Sequence, residues 1–302
     1  MLWQFGPGKV TLTGNNSIPG GTTIAAGATL QAGNGGSTGA VGPGNVANDG
    51  TLIINRSVAQ SLGAMNGVGA FVQLGTGTTT LTASNGASGP TTISNGTLVV
   101  SGRYLGGDLN VEGGTITPTA VAGNVASLNV AGNLTIDAGT LVIGLNKNLA
   151  QSNSVVNLTN ELTLTAGTVT ATGGTLKLIN AGPAVQVGDK FTLFSQPVTG
   201  GGTMTIVSPG FTVANNLAVD GSVTVSAILP APTITAGVVG NQLNLSWPAG
   251  WTGGVHLQGQ TNTLAVGIST NWVTIPGTDL SNTYSTAINP TNRAVFFRLI
   301  NP

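Results

Sequence analysis

Short runs of alternating aliphatic and polar residues, most of them opened by a glycine and a threonine, recur from the start of the chain to residue 226. The opening appears at Gly50-Thr51-Leu52, Gly96-Thr97-Leu98, Gly114-Thr115-Ile116, Gly139-Thr140-Leu141, Gly167-Thr168-Val169, Gly174-Thr175-Leu176 and Gly202-Thr203-Met204. Period two sends successive side chains to opposite faces, so each run predicts a strand of about three to five residues with one face buried. Leu134-Thr135-Ile136 and Leu162-Thr163-Leu164 show the same alternation.

The runs repeat at a longer period too. Residues 6–33, "GPGKVTLTGNNSIPGGTTIAAGATLQAG", share their plan with residues 75–102, "GTGTTTLTASNGASGPTTISNGTLVVSG". Gly6 matches Gly75, Leu12 matches Leu81, Asn16 matches Asn85 and Ile24 matches Ile93, an offset of 69 (75−6). That offset suits three coils of roughly 23 residues, inside the range of stacking repeats. The pattern therefore predicts a β-solenoid. Each coil turns at Gly or Asn, which tolerate positive φ. Threonines face outward, and aliphatics stack inward about 4.8 Å from the next coil. Leu12, Ile24, Leu81, Ile93, Leu98, Leu141 and Leu176 are the expected lumen residues. At about 23 residues per coil, residues 1–226 make about ten coils, nearly 50 Å of stack.

The pattern changes after Ser226. Pro230 and Pro232 mark residues 227–232 as a linker. Beyond them lie Trp247, Trp251, Trp272, Tyr284, Phe296 and Phe297, with alternating strands such as Leu243-Asn244-Leu245-Ser246-Trp247. Residues 233–302 are expected to form a small β-sandwich. The fold class is all-β: a solenoid followed by a sandwich.

Composition sharpens this picture. Only 5% of the 302 residues are charged, and eight basic groups balance eight acidic ones. That balance gives no electrostatic footprint for nucleic acid or an anionic membrane surface. In a stack of coils, like charges in register repel, which fits a chain that avoids them. Cysteine is absent, so disulfides and thiolate metal sites are excluded. No apolar run approaches the ~20 residues of a membrane span. The start, Met1-Leu2-Trp3-Gln4-Phe5-Gly6-Pro7, lacks the regions of a signal peptide, so any such signal is expected to lie outside this numbering.

Residues 50–102 carry a Gly-Thr-Leu opening, Asn55-Arg56-Ser57, Gly75-Thr76-Gly77 and a Thr-Thr-Ile…Gly-Thr-Leu close. In these features the chain resembles the autotransporter-associated β-strand repeat of very large exported bacterial proteins. The resemblance implies a right-handed parallel β-helix at the cell surface or outside the cell. Residues 233–302, with "LNLSWPAGW", "TNWVTIPGT" and "FFRLINP", resemble a fibronectin-type-III-like module. Nothing after residue 232 has the ~10-residue strands of a membrane β-barrel, so export is expected to use another route.

Candidate chemistry is sparse. Glycosidases need two carboxylates facing one bond. The closest acidic pair is Asp108 and Glu112, which flank "LNV" on one face with Arg103 nearby. His256 is the single histidine, so a two-histidine metal site is excluded, and a triad would need it beside a residue such as Asp279. "GGDLNVEGG", residues 106–114, is one imperfect copy of a Ca²⁺-binding repeat. The expectation is no catalytic residue, no metal and no cofactor. Trp247, Trp251 and Trp272 are expected in a sandwich core, with Trp251 in a loop as the candidate ligand contact. Leu2, Trp3 and Phe5 form an apolar segment that either caps the first coil or joins a second copy by strand addition. The function expected is an extracellular structural or adhesive protein that associates with itself into a fibre, or with surface or matrix components. The alternative is a carbohydrate-binding or polysaccharide-active β-helix.

Overall fold

The computed structural model describes residues 1–14, 16, 18–82, 86–101, 107–119, 127–148, 155–157 and 167–300. Asn85, Arg103, Gly106 and Leu162–Leu164 lie outside them. The chain divides into two compact units. The first comprises Met1–Ala184, Asp189–Ile206 and Ala214–Thr224, and the second Val185–Gly188, Val207–Val213 and Val225–Pro302.

The first unit is a parallel β-helix. One sheet stacks five strands: Leu2–Gln4, Thr22–Ile24, Val46–Asn48, Met65–Gly67 and Gly86–Ala87. A second stacks eight: Lys9–Leu12, Thr29–Ala32, Thr51–Ile54, Ala70–Gln73, Thr91–Ile93, Leu109–Val111, Leu134–Ile136 and Val169–Ala171. A third stacks seven, from Gln60–Leu62 through Thr78–Leu81, Thr97–Ser101, Thr115–Thr119, Thr140–Leu145 and Thr175–Asn180 to Thr205–Val207. Within each sheet a strand pairs with the one a full coil later, so no two neighbours are consecutive in the chain.

Alternation and register together build the core. Along the second sheet, Leu30, Leu52, Phe71, Thr91, Leu109, Leu134 and Val169 form one inward column. Ala32, Ile54, Gln73, Ile93, Val111, Ile136 and Ala171 form the next, and all of these residues are buried. The third sheet contributes Leu98, Ile116, Leu141 and Leu176 in register. Six of the seven expected lumen residues are buried, and Leu12 is half-buried. Leu12 sits on the outermost strand of its sheet, so one of its sides has no coil to cover it.

The coil length differs from the expected 23. From Leu30 the column advances by 22, 19, 20, 18, 25 and 35 residues (52−30, 71−52, 91−71, 109−91, 134−109, 169−134). The 69-residue twins consequently sit on different faces. Lys9–Leu12 belongs to the second sheet and its twin Thr78–Leu81 to the third; Thr22–Ile24 belongs to the first and its twin Thr91–Ile93 to the second. The offset is three short coils plus one face. The stack has eight strands in its longest sheet, about 34 Å over seven spacings, and is shorter than expected because, apart from Thr205–Val207 on the third sheet, the strands after Asn180 leave the stack. Lys190–Thr192 pairs antiparallel with Ser222–Thr224, and a short helix, Leu217–Asp220, precedes the turn at Gly221. Gly202-Thr203-Met204, read from sequence as a strand opening, lies at a turn of 3-10 helix instead.

The glycines that open the strands act mainly through close approach. A Cβ on Gly50 would strike the Ala28 carbonyl, and one on Gly114 would lie 2.5 Å from Ile93 Cγ2 in the coil before. Positive φ, the expected reason, applies to Gly96 and Gly174.

The second unit contains two three-stranded antiparallel sheets. One orders Thr235–Val239, Gln242–Ser246 and Thr283–Ala287; the other orders Val273–Thr274, His256–Asn262 and Ala294–Ile300. Leu245, Trp247, Val255 and Leu257 are buried between them, with Trp251, Tyr284 and Phe297 packed against this cluster.

Candidate functional surfaces

Leu2, Trp3 and Phe5 do not fold across the first coil. Leu2–Gln4 is itself a rung, pairing Leu2 with Thr22, Trp3 with Thr23 and Gln4 with Ile24. Leu2 N–H donates to Gly21 O at 2.9 Å, and Gln4 O accepts from Ala25 N–H at 2.9 Å. The other backbone edge of this strand has no strand partner among the described residues. Trp3 and Phe5 are each 60% exposed and meet edge to face, their ring centroids 5.5 Å apart. Apolar surface and an open strand edge thus coincide at one end of the stack.

Four described acidic residues of the solenoid, Asp49, Asp108, Glu112 and Asp137, are occupied by coil-to-coil bonds. Asp108 Oδ1 accepts from Asn133 N–H (2.8 Å) and Asn133 Nδ2 (3.1 Å), and Asn133 Oδ1 accepts in turn from Thr168 N–H (3.0 Å). Glu112 accepts from Ser94 Oγ at 2.9 Å, in the preceding coil. Asp49 receives Val68 N–H at 3.2 Å, and Asp137 receives Thr172 Oγ1 at 2.6 Å. Asp108 and Glu112 therefore each tie one coil to another, in opposite directions along the stack. Lys147–Asp189 (2.9 Å) and Lys190–Asp220 (2.7 Å) are ion pairs. Asp220 is held below its ordinary pKa by the Lys190 hydrogen bond first and by the Ser222 hydroxyl second.

A polar column fills the corner between the second and third sheets. Gln73 Nε2 donates to Gly75 O and Gly77 O at 2.9 and 3.1 Å. Thr79 Oγ1 donates to Gln73 Oε1 at 2.6 Å. In the coil before Gln73, Arg56 is buried, donating from Nη1 to Gln60 Oε1 and from Nη2 to Ser37 O, both at 2.9 Å. These side chains satisfy turn carbonyls that face inward. The pattern of aliphatics did not disclose them.

In the second unit, Trp247 is buried in the core. Trp251, the candidate ligand contact, is half-buried; its Nε1 donates to Pro230 O at 3.0 Å and its ring faces Gly210. Trp272 lies under the Arg298 guanidinium, 4.3 Å from the ring centroid, and Arg298 also donates to Gln258 Oε1. His256 is half-buried on its strand opposite Ile300. Asp279 meets the rest of the unit through its backbone carbonyl, which accepts from Gly253 N–H at 2.6 Å. Among the described residues no three His, Asp or Glu side chains converge as a metal site, at residues 107–114 or elsewhere, and no helix is long and apolar enough to cross a membrane.

No match was found among curated proteins or among solved structures. One family model does match, the passenger-associated-transport-repeat, over residues 4–32 and 71–100. Each matched segment holds one complete coil: Lys9–Leu12 round to Thr29–Ala32 in the first, Thr78–Leu81 round to Thr97–Ser101 in the second. Residues 233–302, expected from sequence to resemble a fibronectin-type-III-like module, lie outside the match, and no comparison supports that resemblance. The β-helix of this chain thus carries autotransporter passenger-type repeats, with the passenger-associated-transport-repeat as its coil unit in both segments.

Proposed function

We propose that the chain is a non-enzymatic structural or adhesive section of an exported protein, working outside the cell, and that it joins a second copy through its N-terminal edge. The observation that carries the self-association is the open strand Leu2–Gln4 with Trp3 and Phe5 exposed beside it. An added strand gains main-chain hydrogen bonds and covers both rings. Export is supported by the passenger-type repeats. The non-enzymatic reading is supported by Asp108 and Glu112, whose carboxylates are taken up in bonds between coils.

A fibre needs an acceptor at the far end as well. There Thr199 bridges to Thr170 and Thr205–Val207 adds the last strand of the third sheet, while Lys190–Thr192 and Ser222–Thr224 pair antiparallel beside the buried Phe191, Leu193, Phe194 and Leu217. Antiparallel strands do not continue a parallel stack, and terminal elements of this kind close solenoids. Edge-to-edge contact between identical N-terminal ends is self-complementary and stops at two copies. Sedimentation velocity across a concentration series tests this. The chain is expected to shift from monomer to dimer, and Trp3→Lys with Phe5→Lys is expected to hold it monomeric. A monomer at every concentration refutes the self-association, and long polymers refute the closed far end.

A further inference from the structure

The interior of the second unit is filled at one end and open at the other. At the filled end Leu245, Trp247, Val255 and Leu257 are buried together. Two residues beyond Leu257, on the same inward face, the strand carries Gly259 opposite Phe297. Across from it the facing sheet presents Leu243, Tyr284 and, in register with Leu243, Thr286. These residues line a cleft of about 590 Å³. That volume falls within the range of small-ligand sites, roughly 300–1,000 Å³.

Steric need does not explain Gly259. Its backbone is not left-handed, and a Cβ there would meet the Phe297 ring at 3.4 and 3.6 Å and Ile275 Cδ1 at 3.7 Å, contacts a side chain tolerates. A packed sandwich would place an aliphatic at such an inward position. Glycine and an inward threonine keep the space open instead. The mouth carries Arg293, which makes no hydrogen bond or ion pair among the described residues. The Tyr284 hydroxyl is likewise without a hydrogen-bond partner there. No Asp or Glu lines the cleft. An apolar interior with one unpaired cation at its rim complements an apolar molecule bearing one negative charge.

We propose that this cleft binds a small amphiphile: an apolar body between Leu243, Tyr284 and Phe297, with a carboxylate or equivalent anion paired to Arg293. The site is independent of the self-association through Leu2–Gln4. The test is isothermal titration of the full chain with decanoate and with its neutral analogue decan-1-ol. One equivalent of decanoate should bind saturably. R293Q should weaken decanoate roughly tenfold and leave decanol unchanged, since only a charge-assisted hydrogen bond is lost. Gly259→Leu should abolish binding of both while the thermal midpoint holds or rises, because the leucine fills the cleft. If Gly259→Leu fails to fold, R293Q still decides, as Arg293 is exposed on the rim. No saturable decanoate binding, binding untouched by either substitution, or selective binding of an oligosaccharide in place of decanoate would overturn the proposal.

Discussion

At the scale of single residues, one strand opening in the solenoid shows how tightly the coils are packed. Ile93 is fully buried, and its Cγ2 lies where a Cβ on Gly114 would go. Ile93→Ala should cost about 2–5 kcal/mol, the lost burial plus the cavity left behind. Gly114→Ala should cost about 1–3 kcal/mol by overpacking the same contact from the other coil. Gly237→Ala is the control, since nothing lies within 4 Å of a Cβ there. Urea denaturation of the three variants should rank them in that order, with the control near wild type. Equal losses at Gly114 and Gly237 would show that backbone conformation, and not coil spacing, selects glycine. The sequence marked Gly114 as important but assigned the wrong cause. Coil-to-coil distance is a property of residues 18 and more apart, and local pattern is blind to it.

Elements reveal a second limit of pattern reading. Strands were legible because alternation is local: Leu134-Thr135-Ile136 lies buried, half-buried, buried. Their placement on faces was not legible, because an offset of 69 fits three coils of 23 as well as three coils near 20 plus one face. Only pairing separates the two, through Leu12 on the second sheet and Leu81 on the third. The polar corner was hidden for a related reason, since Gln73 occupies a slot that its neighbours in the column fill with Ile54 and Ile93. Gln73→Leu should cost about 1–3 kcal/mol despite being more hydrophobic, because it strands two buried carbonyls and the Thr79 hydroxyl. The antiparallel closing element depends on pH. Asp220 has its folded pKa lowered by Lys190 and Ser222, so its contribution is present above the unfolded carboxylate pKa and is lost as pH falls through the folded value. Asp220→Asn should flatten the acid side of the stability profile, and an unchanged profile would show the pair to be a solvated surface contact.

At the scale of the whole molecule, the boundary between the units is where composition and structure part. Pro230 and Pro232 read as a linker, yet the residues around them are tied down within the second unit. Leu229 N–H donates to Gly210 O at 2.9 Å, and Pro230 O accepts from Trp251 Nε1 at 3.0 Å. The Trp251 ring lies against Gly210, where a Cβ would come within 2.9 Å of it, and a Cβ on Gly254 would collide with Pro209. Val207–Val213 therefore belongs to the compact unit together with Val225–Pro302, although some ten residues of the first unit separate them in the chain. Proline fixes φ and lacks an N–H, but it says nothing of which carbonyls are used, so a tethered segment and a free linker look alike in sequence. A fragment beginning at Val207 should accordingly be more stable than one beginning at Thr233. The shorter fragment loses the Trp251 hydrogen bond and the packing surface under its indole, features worth about 1–3 kcal/mol together. Thermal unfolding followed by near-ultraviolet circular dichroism reports on both. The longer fragment should keep a Trp signal that Trp251→Phe removes, and its midpoint should be higher by several degrees. Identical midpoints would make residues 207–232 a passive connection and restore the linker that the two prolines suggest.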